Sequence, residues 1–507
     1  MSITGIARHL FSPRWRELEL HNKAAEQLQH DVLSRLVERA KDTEYGCYHR
    51  FRDMRTYDDF VRCCPVNSYE DLKDAIDRMR HGEEDVLWPG RCRWYAKSSG
   101  TTNDKSKFIP VTKEGLKRLH YKGAADAVAI YLRNNPKSRM FDGRGLILGG
   151  SHQPNYDLPN SIVGDLSAVL IENINPLVNY FRVPSKGTAL LSDFEVKRDR
   201  IAREAMEKNV TNLSGVPSWM LSVLNRVMEL SGKQHLEEVW PNLEVFFHGG
   251  VAFTPYREQY RQLITSPRMH YMETYNASEG FFGIQDDPDD KSMLLMLDYD
   301  VFYEFLDIHS EGSTPVPLWG VEKGKNYAMI ISTSCGLWRY MIGDMVQFTS
   351  VNPYKFIITG RTKSFINAFG EELIVDNAEQ GLSYACQQTG AQVLEYTAAP
   401  VFMDANAKCR HQWIIEFSTP PADLQHFASL LDTRLQELNS DYEAKRYKDI
   451  TLQHLEIIVA RQGLFHDWLK MKGKLGGQHK VPRLSNERKV IEEMLLLNDQ
   501  WNNADDV

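Results

Sequence analysis

Apolar positions recur with helical spacing near the start of the chain. Leu18, Ala25, Leu28, Val32, Leu36 and Ala40 form one stripe among charged neighbours, which predicts a helix over residues 15–41. A second long helix is predicted from Thr112. Its hydroxyl suits an N-cap, Glu114 lies in the first turn, and Leu116, Leu119, Val128 and Leu132 make the apolar side. Short apolar runs at 145–148, 243–247 and 327–331 read as buried strands, the first two followed by Gly149-Gly150 and Gly249-Gly250. Strands alternating with helices, with glycine turns at strand ends, predict α/β architecture with β-sheets flanked by helices. Such sheets bind ligands beyond the carboxyl ends of their strands.

The pattern changes after about residue 365. It then reads helix (377–388), strand (392–402), strand (411–417), helix (422–438) and strand (451–459), a compact α+β unit of domain size. The expected organisation is a large N-terminal domain, 1–364, and a smaller mobile α+β C-terminal domain, 365–507, with a hinge near 360–370. The basic, glycine-rich run from Lys470 to Lys480 reads as a mobile loop.

Composition narrows the function classes. At 507 residues the chain is too long for one ordinary core. A net charge of −8 carries no basic bias toward nucleic acid. No run approaches the length of a membrane span, and Met1 to Trp15 holds no sustained apolar segment. Seven scattered cysteines form no Cys-x-x-Cys pair, so reduced thiols and a cytoplasmic location are expected.

Five stretches could carry chemistry. Ser98-Ser99-Gly100-Thr101-Thr102, with Lys105 and Lys107, reads as a loop whose amides, hydroxyls and lysines suit a polyphosphate, although the same residues also make solvated turns. It is not a Walker A loop. Tyr275-Asn276-Ala277-Ser278-Glu279-Gly280 could stack a flat base and offer a carboxylate to Mg²⁺, or be a strand end and a turn. In Trp338–Val346 alternation suits a strand that Gly343 breaks. Asp344 then sits at its tip, able to accept ribose hydroxyls or simply solvated, and Arg339 could pair with a buried acid. Gly360–Glu371 reads as a hinge or an interdomain turn. Lys480, before Val481-Pro482-Arg483, is a point charge that a mobile loop could swing toward phosphate.

Taken in order, these stretches resemble the auxin-responsive acyl acid amido synthetase (Gretchen Hagen) family of the adenylate-forming superfamily. Further matching stretches are 43–46, 87–90, 107–112, Tyr303-Glu304-Phe305, 336–340 and 478–483. The chain is shorter than plant members, as a bacterial relative could be. The resemblance implies that ATP activates a small carboxylic acid as acyl-adenylate and that an amino acid amine then takes the acyl group. It assigns phosphate contacts to Ser98, Ser99, Thr101 and Thr102, with Gly100 allowing close approach and Ser99 also catalytic. Tyr275, with Asn276 and Ala277, would lie at adenine, Ser278 at the α-phosphate, and Glu279 on Mg²⁺. Asp344 would hold the ribose, Arg361 would belong to the nucleotide site, and Lys480 would complete adenylation from the small domain. The acyl pocket would involve Val216, Trp219, His248, Gly249 and Gly250. Glu372 stands where plant relatives often carry lysine. An acyl-CoA synthetase and a non-catalytic acyl- or AMP-binding homologue are the alternatives.

Overall fold

The computed structural model describes residues 2–102, 104–250, 253, 256–307, 312–361, 365–402, 409–449, 451–472 and 481–502. The chain divides into two compact units, Met1–Ser98 with Lys107–Thr362, and Ser99–Ser106 with Lys363–Val507.

The first unit opens with two helices, Ile3–Lys23 and Ala25–Ala40, where one was expected. The apolar stripe is continuous, but Ala24 leaves helical geometry at φ −120° and starts the second helix. Leu18, Ala25, Val32, Leu36 and Ala40 are buried, as their spacing requires. The main sheet has twelve strands in the order 316–317, 301–306, 326–333, 340–351, 354–361, 293–295, 280–284, 270–277, 245–248, 210–215, 144–147, 182–183. Helices Ala25–Ala40, Lys122–Asn134 and Pro217–Ser231 pack on its strands. The strands from 270–277 to 182–183 run parallel. The strand His270–Ala277 pairs in parallel with Val245–His248 on one side and antiparallel with Gly280–Ile284 on the other. The parallel and antiparallel halves therefore meet at this strand.

Two expectations are corrected here. The serine- and threonine-rich stretch is not a loop: Trp94–Thr102 and Asp104–Val111 are neighbouring strands, and Trp94–Ala96 also pairs with Ile162–Gly164. Hydroxyl residues read as turn formers locally, but threonine fits a strand, and the neighbouring strand Asp104–Val111 gives this one a partner. Gly343 does not end its strand either. Tyr340–Val351 is continuous, and Gly343 (φ +97°) lies in the irregular register opposite Ala328–Ile330. Asp344 thus sits within the strand, opposite Arg361.

Thr112 caps the second long helix as expected, its Oγ1 accepting from Gly115 N–H at 2.9 Å. Lys113–Gly115, Leu116–Tyr121 and Lys122–Asn134 follow as one helix whose middle stretch is π-helical.

The second unit follows its predicted order: helix Val375–Thr389, strands Gln392–Val401 and Arg410–Thr419, helix Leu424–Leu438, strand Glu456–Ala460. Its core gathers Ala399, Ile414, Leu464, Trp468 and Met494. Glu371 is an interior anchor, accepting from His411 Nε2 at 2.8 Å and Phe369 N–H at 2.7 Å. Thr362–Ser364 of the expected hinge and Gly473–Lys480 lie outside the described residues.

Candidate active site

The parallel strands end together, and their carboxyl ends carry the expected residues. Arg144–Ile147 leads to Gly149-Gly150, Val210–Gly215 to Val216, Val245–His248 to Gly249-Gly250, and His270–Ala277 to Ser278-Glu279. At Gly249 a Cβ would meet the Thr274 carbonyl oxygen at 2.2 Å, so the adjacent strand's backbone leaves room only for glycine. Val216 caps helix Pro217–Ser231, and its Cγ2 lies 3.3 Å from where a Gly250 Cβ would stand. Trp219, one turn along, is half-buried.

Ser278 and Glu279 form the two-residue turn between strands 270–277 and 280–284, and the register slips between Tyr275 and Asn276. Such bulges re-aim side chains beside active sites. Glu279 is buried at the turn. Tyr275 is buried too. Its ring lies 5.0 Å from Phe282 and 6.1 Å from Phe356, and its hydroxyl donates to Asp344. The structure thereby joins two expected nucleotide residues 69 positions apart. Mg²⁺ bound through phosphates takes one or two protein carboxylates. The buried carboxylate of Glu279, in the turn after the strand, fits that demand.

His248 lies in an aromatic cluster, stacked 4.2 Å from Phe253 and tilted against Phe246 at 5.4 Å. Burial, reinforced by Arg257, pushes its pKa down to about 3. Near neutrality the ring is uncharged, so it can offer a carboxylate a hydrogen bond but not a positive charge.

Of the other expected residues, Ser98 is half-buried in its strand, and Gly100 and Arg361 have strand backbone. The side chains of Ser99, Thr101, Thr102 and Arg361, and all of Lys480, lie outside the described residues.

Several matching stretches are scaffolding. Arg339 and Glu304 form a buried two-bond pair at 2.8 and 2.9 Å. Tyr57 donates to the same carboxylate at 2.9 Å, and Arg339 donates to the Cys64 carbonyl at 2.6 Å. Trp338 Nε1 donates to the Leu87 carbonyl at 3.0 Å, and Asn67 donates to Tyr45 at 3.1 Å and the Trp338 carbonyl at 2.7 Å. Residues 43–46, 87–90, 303–305 and 336–340 are thus tied into one interior.

Two further polar residues of the strand-end region lie outside the sequence motifs. Lys197 is buried, donates to the Gly149 and Gly150 carbonyls at 2.6 and 3.0 Å, and has its pKa pushed down to about 8 by burial. His120 is buried and hydrogen-bonds Asn276 at 3.0 Å. A polar residue beside Leu119 on the apolar side of the predicted helix was the available signal for His120; Lys197 had none.

Residues 14–269 match the GH3 family N-terminal domain, 294–361 the GH3 family central domain and 376–489 the GH3 family C-terminal domain. The chain belongs to the GH3 family, as the order of its motifs implied. It is 24% identical over 558 residues to indole-3-acetic acid-amido synthetase GH3.3 of Arabidopsis thaliana, covering 94% of this chain and 92% of that protein. It is 22% identical to 4-substituted benzoates-glutamate ligase GH3.12 of the same plant, over 92% and 94% of the two chains. Among solved structures, AtGH3.15 acyl acid amido synthetase in complex with 2,4-DB aligns with a TM-score of 0.61 at 18% identity, over 96% of this chain and 95% of that one. 2-Hydroxyisobutyryl-CoA ligase with 2-HIB-AMP and CoA aligns with a TM-score of 0.56 at 14% identity, over 95% and 93%. These likenesses show a shared mixed α/β fold.

Proposed function

We propose that this chain is an ATP-dependent acyl acid amido synthetase. The observation that carries the reading is the match to all three GH3 family domains, with Tyr275, Asp344 and the Ser278-Glu279 turn gathered around the junction strand. In the first step a substrate carboxylate oxygen attacks the α-phosphorus of ATP. The bond from that phosphorus to the bridging oxygen breaks, and pyrophosphate leaves. In the second step an amino acid nitrogen attacks the acyl carbon. The carbon–oxygen bond to phosphate breaks, AMP leaves, and the amine proton passes to solvent. Adenylation thus turns a poor electrophile into one with a good leaving group.

Ser98, Ser99, Thr101 and Thr102 hold phosphates, Ser278 the α-phosphate, Asp344 the ribose, and Tyr275, Asn276 and Ala277 line the adenine side; Arg361 completes the nucleotide site. Glu279 holds Mg²⁺, which neutralises charge gathering on the phosphates. Val216, Trp219, His248, Gly249 and Gly250 face the acyl group. A mobile small domain, 365–507, turns near 360–370 against a large domain, 1–364, between the half-reactions. Lys480 serves adenylation, so Lys480→Ala should slow acid activation more than amide formation from supplied acyl-adenylate; equal losses would reject that role. The proposed location is cytoplasmic. No helix among the described residues is long and apolar enough to cross a membrane.

Thioester formation is a second reading, favoured by the fold shared with a CoA ligase. Supplying ATP, an acid panel and either amino acids or coenzyme A separates the two. Amide product with AMP release is expected. Thioester alone would install the second reading, and neither product with any acid would leave a non-catalytic binder.

A further inference from the structure

The helix that follows the serine- and threonine-rich strands packs closely on the hairpin carrying Glu279. A Cβ on Gly123 would stand 2.3 Å from the Phe281 ring, and one on Gly280 would stand 3.0 Å from Leu119 Cδ2. Between these contacts, His120 Nδ1 meets Asn276 Oδ1 at 3.0 Å. A carboxamide oxygen only accepts, so Nδ1 carries the proton. Burial pushes the imidazole pKa down to about 4, which keeps the ring neutral and this tautomer in place. Nε2 is buried without a partner among the described protein groups. A leucine or phenylalanine would fill this space without burying a bare acceptor, so packing alone does not account for a histidine. The local backbone is unusual as well. Leu116–Tyr121 is π-helical, which reorients the side chains that follow and is frequent at functional sites.

We propose that His120 is a positioning residue for acid activation, holding the Asn276 carboxamide and through it the Ser278-Glu279 turn. The helix begins at Thr112, directly after the strand Asp104–Val111. His120 therefore ties this helix to the turn that carries the acid assigned to Mg²⁺. This rests on the adenylation reading above.

The test compares His120→Phe, which keeps volume but removes the donor, with His120→Asn, whose amide nitrogen takes the place of Nδ1. ATP–pyrophosphate exchange is measured for both, together with thermal midpoints and the Asn276→Ala single and double variants. His120→Phe should lower the exchange kcat about 10- to 100-fold with the acid KM within about twofold, the size of one lost positioning bond. His120→Asn should recover most of that loss, and His120→Phe should add little to Asn276→Ala. His120→Phe exchanging like the parent, or Asn and Phe losing activity equally, would overturn the assignment and leave the adenylation reading standing. If His120→Phe does not fold, Asn276→Ala with parental kcat overturns it. A folded parent that exchanges with no acid would sink both.

Discussion

The buried Arg339–Glu304 pair offers a direct test of which motif residues are scaffold. Both side chains are nearly inaccessible, at 4% and 1% exposure, and are joined by two hydrogen bonds. Glu304→Met removes the carboxylate that pairs with that guanidinium and strands the Tyr57 hydroxyl. Breaking a buried pair from one side costs about 3–5 kcal/mol, because a buried charge is left uncompensated. If the first unit of roughly 350 residues melts cooperatively, its unfolding entropy is about 0.7 kcal/mol per degree, so the midpoint should drop by about 4–7 °C. Arg339→Met should cost a similar amount. The double variant removes both charges and mainly loses the donors to the Cys64 and Val61 carbonyls, so it should be milder than either single change. Scanning calorimetry of the parent and three variants measures this. Pyrophosphate exchange per folded molecule at 15 °C should stay within about threefold, since the pair touches no reacting group. A loss below about 1 kcal/mol, strictly additive losses, or a folded Glu304→Met chain without exchange would refute the scaffold assignment.

Asp344→Ala should weaken ATP binding about tenfold or more, the loss expected for hydrogen bonds to a charged group; unchanged affinity by calorimetry rejects the ribose role. Gly249→Ala drives a methyl to 2.2 Å from the Thr274 carbonyl oxygen, so a loss of about 1–3 kcal/mol in urea melts is expected, and a neutral result would contradict the close approach. His248 is neutral when folded, with its pKa lowered from 6.5 to about 3, so the unfolded chain binds the extra proton between those values. Stability should therefore fall on acidification, by about 2 kcal/mol between pH 7 and pH 5 from this residue alone. His248→Phe should remove that part of the slope, and an unchanged slope would show that the ring is not held neutral.

Much of the architecture was legible because it follows from periodicity. The stripe from Leu18 to Ala40, the runs at 145–148, 243–247 and 327–331, and the element order after residue 375 appear in the structure with end shifts of a few residues. What escaped depends on partners that local composition does not name. Ser98 to Thr102 looked like a loop until pairing placed it in a strand, and Gly343 looked like a terminator until neighbouring strands absorbed it as an irregularity. The same holds for chemistry. Arg339 was expected to pair with a buried acid, yet nothing local named Glu304, 35 positions away. Tyr275 and Asp344 stand 69 positions apart in separate motifs, and only the fold joins them. Lys197 shows no local sign that two glycine carbonyls will hold it.

The central claim, acid activation by ATP, is tested most directly by Mg²⁺-dependent ATP–pyrophosphate exchange across aromatic, aliphatic and hydroxylated acids, with no amino acid present. Exchange that requires one acid class, and collapses in Glu279→Ala, is the predicted result. A folded protein that binds ATP but exchanges with no acid would contradict it.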